Sequence, residues 1–274
     1  MRALLIGRPV SHSLSPLMQN AAFAAVGLEH RYEPADTAVD ELEAAVRRLR
    51  DGQHLGANVT VPYKLAAVPL VDEIDADVAA LGALNTIVSS GTRLLGYNTD
   101  VTGAWEGLLM PILARLDGAR VLVLGAGGGA RALLMALGRC GASGPARVTV
   151  AARRMAMATE LAHLGEQFGL ACAAIGWDGV AAAVGDISVV VNCTPLGLGG
   201  EDPLEGIPLS GRAVLDMAYR PGGTALFRRA RLEADHALQG DEMLVRQGAR
   251  AFQLWTELEP PLDVMRRALA GGLA

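Results

Sequence analysis

Residues 121–137 read Val121-Leu122-Val123-Leu124, then Gly125-Ala126-Gly127-Gly128-Gly129-Ala130, then Arg131-Ala132-Leu133-Leu134-Met135-Ala136-Leu137. An uninterrupted β-type apolar run has no polar face to offer water, so it suits a strand covered on both sides. The glycines allow a turn, and an apolar helical segment follows at once. More β-type runs come at 147–152, 187–193 and 214–217. Their spacing leaves room for crossover helices, which predicts a doubly wound parallel sheet. In such a fold Gly125 would form the tight turn and Gly127 would let a pyrophosphate approach the backbone. Ala130 would let helix and strand pack closely. Free amides and the dipole at a helix start favour an anion. Residues Gly125 to Ala130 are therefore a candidate dinucleotide loop, with a purely structural turn as the alternative.

The end of the second strand decides which dinucleotide. An acidic residue there would hold the 2′-hydroxyl of NAD. The chain has Ala151-Ala152-Arg153-Arg154 instead. Guanidinium groups hold phosphate by bidentate contact and stack on bases. Arg153 and Arg154 thus predict NADP. A solvent-facing pair at a strand end is the other reading, and it leaves NAD possible.

The first hundred residues also alternate strands and helices. Strands are expected at 3–6, 31–34 and 55–61, the last broken by Pro62, and helices at 17–26 and 40–49. Ser15 would cap the first helix and Pro16 would sit in its first turn. Residues 85–89 and 93–97 resemble a hairpin turning at Ser90-Gly91. A helix over 101–116 should kink at Pro111. The chain ends in helices at 243–258 and 262–269. The fold class is α/β, with no internal repeat.

Composition narrows the function. Of 24 basic residues only one, Lys64, is a lysine. Arginine does not release its proton in a protein; lysine does so where its surroundings allow. Lys64 is thus a candidate proton carrier, against the plain reading of a chance survivor in an arginine-rich chain. Net charge is −5 with no basic run, which argues against a nucleic-acid partner. Cys140, Cys172 and Cys193 are odd in number and widely spaced, so neither a disulfide framework nor a metal site is expected. With no signal peptide and no membrane span in view, a soluble cytoplasmic protein is expected.

Polar clusters punctuate the N-terminal half. Ser11-His12-Ser13-Leu14-Ser15-Pro16 offers hydroxyls ahead of a helix, suited to a carboxylate or polyol. Asn58, Thr60 and Lys64 flank the break at Pro62. Asn85 and Thr86 follow Leu84, and Asn98-Thr99-Asp100 closes the half. Asp100 is either a bare helix cap or the carboxylate that places Lys64. His12 is an alternative acid–base group, though nothing in the sequence pairs with it.

These blocks resemble the shikimate dehydrogenase family. The resemblance lies in Ser13-x-Ser15-Pro16, Asn58-Val59-Thr60-Val61-Pro62-Tyr63-Lys64, Gly82-Ala83-Leu84-Asn85-Thr86 and Asn98-Thr99-Asp100. It continues through the glycine loop, Asn192-Cys193-Thr194-Pro195-Leu196-Gly197, Asp216-Met217-x-Tyr219 and Met243-Leu244-Val245-x-Gln247-Gly248-Ala249. The matches run in family order over nearly the whole chain. The resemblance implies two domains. One is an N-terminal α/β substrate domain, 1–100, completed by C-terminal helices, 239–274; the other is a Rossmann-type dinucleotide-binding domain, 101–238, with the active site in the cleft between them. It further implies reversible NADP-dependent reduction of 3-dehydroshikimate to shikimate, a step toward aromatic amino acids, by a monomer or homodimer.

In that reading Lys64 and Asp100 are catalytic. Ser13 and Ser15 meet the substrate carboxylate. Thr60, Asn85, Asp100 and Gln247 meet the ring hydroxyls, and Tyr219 lies near the substrate. Thr194 joins the dinucleotide site, and the nicotinamide lies near Gly240 and Met243. The phosphate-binding run departs from the family: of Ala152, Arg153, Arg154 and Met157 only Arg153 matches. Asp241 and Glu242 add charge beside the nicotinamide position, and Val101 is bulkier than the family's residue. These changes keep open a paralogue acting on quinate or an aminoshikimate. A non-catalytic dinucleotide-binding sensor is a further alternative.

Overall fold

The computed structural model describes residues 1–273. The chain forms two compact units, Met1–Gly103 with the chain from Leu244 onward, and Ala104–Met243.

The first unit begins β1 (Arg2–Gly7), α1 (Ser15–Ala25), β2 (Arg31–Asp36), α2 (Leu42–Arg48) and β3 (His54–Val59). It continues with β4 (Glu73–Ile74), α3 (Ala76–Leu81), β5 (Thr86–Ser90), β6 (Arg93–Tyr97) and the start of α4 (Asp100–Ala104). The strands order as β2-β1-β3-β5-β6-β4. Strands β2, β1 and β3 run parallel, and β5 is antiparallel to both β3 and β6. Successive residues of β1 point to opposite faces, and both faces are apolar. Ala3 and Leu5 pack with Met18 and Phe23 of α1. Leu4 and Ile6 pack with Leu42 and Val46 of α2.

The second unit carries β7 (Arg120–Leu124), α5 (Gly128–Gly138), β8 (Arg147–Ala152), α6 (Met155–Gln167), β9 (Cys172–Gly176) and α7 (Val180–Ala183). Then come β10 (Val189–Asn192), β11 (Ala213–Asp216), α8 (Ala225–Glu233), β12 (His236–Gln239) and the first residues of α9 (Asp241–Thr256). Its sheet is parallel throughout and ordered β12-β11-β10-β7-β8-β9. That is the doubly wound Rossmann order. The winding direction reverses between β7 and β10, which opens a crevice beyond their carboxyl ends.

The rest of α9 and α10 (Leu262–Leu273) belong to the first unit, where Phe252, Trp255 and Met265 join the Phe23 core. Trp255 Nε1 donates to the Ile87 carbonyl at 3.0 Å. Gly56 makes room for this bond: its φ is +148°, and a Cβ there would fall 1.9 Å from the Ile87 oxygen and 2.8 Å from Trp255 Nε1.

Several expectations need correction. Ser15 does not cap α1. It is already the first helical residue, and Leu14 holds the cap position with no side-chain bond. Instead the Ser15 amide donates to Ser13 Oγ at 3.2 Å. The hairpin turns at Gly91-Thr92, since Ser90 pairs with Arg93 and Gly91 has φ +64°. The segment after Asp100 is not one α-helix. Beyond α4 it widens to a π-helical stretch, Trp105–Leu109, and tightens to 3-10 geometry over Met110–Arg115, with Ile112 out of helical range. Pro111 has no amide to donate and its ring crowds the carbonyl four residues back, so an unbroken ladder cannot pass it. Strands β4 and β12 have no strong apolar run to announce them, and the run around β9 is mostly alanine, which has little strand preference. All three are sheet edges, where burial on both faces is not required. Among the described residues, no helix is long and apolar enough to cross a membrane, and no cluster of His, Cys, Asp and Glu could hold a metal.

Candidate active site

Lys64 lies just past the end of β3, where the chain turns through Pro62. Its carbonyl accepts from the Leu84 amide at 2.9 Å, so the backbone under the side chain is fixed. Asp100 opens α4, and its amide donates to Asn98 Oδ1 at 3.1 Å. Asn98 in turn donates to the Ala83 carbonyl at 2.8 Å. The segments around 64, 83–86 and 97–100 are thereby tied together. Lys64 Nζ donates to Asp100 Oδ2 at 2.5 Å, with the two side chains 16% and 7% exposed. Asp100 therefore acts as more than a bare helix cap.

The other oxygen of Asp100 accepts from Asn85 Nδ2 at 2.9 Å. Asn85 also donates to Thr99 Oγ1 at 3.0 Å and reaches Gln247 Oε1 on α9 at 3.4 Å. An amide has only two hydrogens, so the Gln247 contact is the weakest of the three. Asn85 Oδ1 accepts from the Thr99 amide at 2.7 Å. Behind it, Asn58 donates to the Asn85 carbonyl and to Thr86 Oγ1, and accepts from the Tyr32 hydroxyl at 2.8 Å. Tyr32, Asn58, Thr86 and Thr99 are all buried. This supporting layer was not assigned a role from sequence. The available signal was polar residues placed where strands β2, β3 and β5 would otherwise be apolar.

Lys64, Asp100, Asn85 and Gln247 thus form one connected group. Ser13, Ser15 and Thr60 are not bonded to it. Neither serine hydroxyl donates to a protein acceptor among the described residues, and the Thr60 methyl packs against Gly7. His12 is exposed.

In the second unit the glycine loop leaves β7. Gly125 has φ +100°, and a Cβ on it would fall 2.9 Å from the Thr194 methyl. Gly127 caps α5 in extended geometry, no side chain caps that helix, and a Cβ at 127 would meet open space. The first amides of α5 have no partner within the helix, so they are available to an anion. Ala130 is fully buried. These features fit a pyrophosphate at the crevice where the sheet reverses. Arg153 and Arg154 are exposed just past β8, and neither forms an ion pair among the described residues.

Gly240 packs against the backbone of Met217, where a Cβ would meet the carbonyl oxygen at 2.2 Å; Met243 is buried. Burial pushes the Tyr219 phenol up to about 12, so it remains protonated at neutral pH. Burial also raises the Asp241 carboxyl, with Glu242 adding to the shift and backbone amides opposing it.

A family model described as the shikimate dehydrogenase substrate binding domain matches residues 5–87. A second, the shikimate 5'-dehydrogenase C-terminal domain, matches 240–270. The chain is 43% identical to the shikimate dehydrogenase (NADP(+)) of Rubrobacter xylanophilus, over 97% of this chain and 94% of that protein. The chain belongs to the shikimate dehydrogenase family. Among family structures, that of the shikimate 5-dehydrogenase of Thermus thermophilus, with NADP(H) and shikimate, aligns over 100% of both chains. It is 35% identical, with a TM-score of 0.82. The quinate dehydrogenase of Corynebacterium glutamicum, solved with NAD, aligns over 99% of both chains at 30% identity and TM-score 0.88.

Proposed function

We propose that the chain is an NADP-dependent shikimate dehydrogenase, which reversibly reduces 3-dehydroshikimate to shikimate. The observation that carries this reading is the largely buried Lys64–Asp100 pair, joined to Asn85 and Gln247, in a chain of this family. NADPH, when bound, supplies the hydride that adds to the carbonyl carbon. Lys64 stabilises the negative charge developing on oxygen and gives that oxygen a proton. Asp100 holds the ammonium in place with one carboxylate oxygen and is itself oriented by Asn85 through the other. In the oxidation direction Lys64 accepts the hydroxyl proton.

Asn85, Thr60 and Gln247 offer polar groups to ring hydroxyls, and Asp100 adds an acceptor. Ser13 and Ser15 keep free hydroxyl hydrogens, which suits a carboxylate. Tyr219 lies near the substrate as a neutral phenol. In the second unit, residues Gly125 to Ala130 with Thr194 cradle the pyrophosphate. Arg153 and Arg154 take the 2′-phosphate, and Gly240 with Met243 border the nicotinamide. The first unit serves as the substrate domain and the second as the dinucleotide domain. The three cysteines are free, which suits a reducing cytoplasm.

A quinate-oxidising paralogue is not favoured: identity is 43% to the Rubrobacter shikimate dehydrogenase and 30% to the quinate dehydrogenase. A non-catalytic sensor would have no use for the Lys64–Asp100 pair. The test is nicotinamide absorbance with shikimate or quinate, each paired with NADP or NAD. Shikimate with NADP should give the highest kcat/KM; a higher value for quinate with NAD would refute the assignment.

A further inference from the structure

Asp216 ends β11 with no exposed surface, and the proposed reaction makes no use of it. One of its oxygens accepts from Asn192 Nδ2 at 2.9 Å and from the Ala218 amide at 3.1 Å. The other accepts from the Thr224 hydroxyl at 2.5 Å, while that hydroxyl oxygen accepts from the Phe227 amide at the start of α8. All three partners present a hydrogen. An ionised carboxylate can accept from all of them; an apolar side chain in its place cannot.

The consequence passes through Asn192. With Nδ2 turned to Asp216 and to the Leu196 carbonyl at 3.0 Å, Oδ1 faces the other way. There it accepts from the Thr194 amide at 3.0 Å and the Thr194 hydroxyl at 2.6 Å. The Thr194 hydroxyl oxygen then accepts from the Leu196 amide at 3.2 Å. The turn after β10 is thus held by an amide whose direction Asp216 sets. That turn abuts the glycine loop, because the Thr194 methyl occupies the space beside Gly125.

Keeping a charge here is costly. Burial raises the Asp216 carboxyl to about 6, and the Thr224, Asn192 and Ala218 hydrogen bonds offset only part of that; Asp202 adds to the rise. A well-packed apolar group would avoid the cost but could not orient Asn192.

We infer that Asp216 is a positioning residue for the dinucleotide site, fixing the Thr194 turn against Gly125 through Asn192. This rests on the reading of the glycine loop and Thr194 as that site. The test is NADPH affinity, measured by nucleotide fluorescence, beside KM for 3-dehydroshikimate. In Asp216→Leu the acceptor facing Asn192 Nδ2 is gone, so that amide is no longer held with its oxygen toward the Thr194 amide. NADPH Kd should then rise about tenfold while KM for 3-dehydroshikimate stays within about twofold.

Thr224→Val removes a donor to Asp216 on the side away from Asn192. It should lower Tm and leave NADPH Kd unchanged. If Asp216→Leu does not fold, Asn192→Ser cuts the same link from its other end and should raise NADPH Kd alike. An unchanged NADPH Kd in folded Asp216→Leu or Asn192→Ser overturns the inference, as does an equal rise in Thr224→Val. Failure of the wild-type protein to bind either nicotinamide nucleotide would remove the dinucleotide reading and the inference with it.

Discussion

Lys64 and Asp100 show how far single residues can be read and where reading stops. One lysine among 24 basic residues singled out Lys64 as a candidate, and the Asn98-Thr99-Asp100 block held the carboxylate it donates to. The layer behind them was not legible, because Tyr32, Asn58 and Thr99 acquire meaning only when three separated segments are brought together. Asp100→Asn keeps the shape and removes the charge that holds the ammonium, so kcat should fall by about 10–10³-fold with the chain still folded. Unchanged kcat would mean that Lys64 is placed by something else.

Asp216 makes a separate forecast about pH. Its carboxyl lies near 6 in the folded chain against 3.8 for an ordinary aspartate. Below about pH 4 the proton is bound in both states, and the stabilising effect of holding it is complete. That effect is lost as pH rises through 6, and amounts to roughly 3 kcal/mol across the range. The unfolding free energy of wild type relative to Asp216→Asn should therefore fall between pH 5 and pH 7. A difference that does not change with pH would contradict the raised carboxyl.

Whole elements were legible where burial demanded it. Strands β1, β7, β8, β10 and β11 are apolar on both faces and announced themselves. The edge strands β4, β9 and β12 did not, and the π-helical stretch after α4 depends on how the ladder accommodates Pro111. The placement of α9 depends on contacts invisible in sequence. Trp255 anchors it to the Ile87 carbonyl, and Gly56 leaves the space. Trp255→Phe should destabilise the fold by about 1–3 kcal/mol, the cost of leaving that buried carbonyl without its donor. It should also raise KM for shikimate, because Gln247 rides on the same helix. Wild-type Tm and KM in the variant would show that α9 does not need this anchor.

Taken as a molecule, the chain divides its chemistry. The Lys64 network is built from residues of the first unit, and the glycine loop with its arginines from the second. The α/β alternation was legible in each half of the sequence, whereas the division into two units and the return of the C-terminal helices to the first came only with the family resemblance. Arg153→Ala/Arg154→Ala should cut kcat/KM for NADPH by about 10–100-fold and leave that for NADH within about threefold, since only NADPH carries the 2′-phosphate. Equal losses with both nucleotides would place the arginines elsewhere in function. The decisive measurement is steady-state reduction of 3-dehydroshikimate with NADPH by Lys64→Ala. A kcat lowered about 10²–10⁴-fold, with a much smaller change in KM, is expected if this amine protonates the forming alkoxide. Turnover at the wild-type rate would show that it does not.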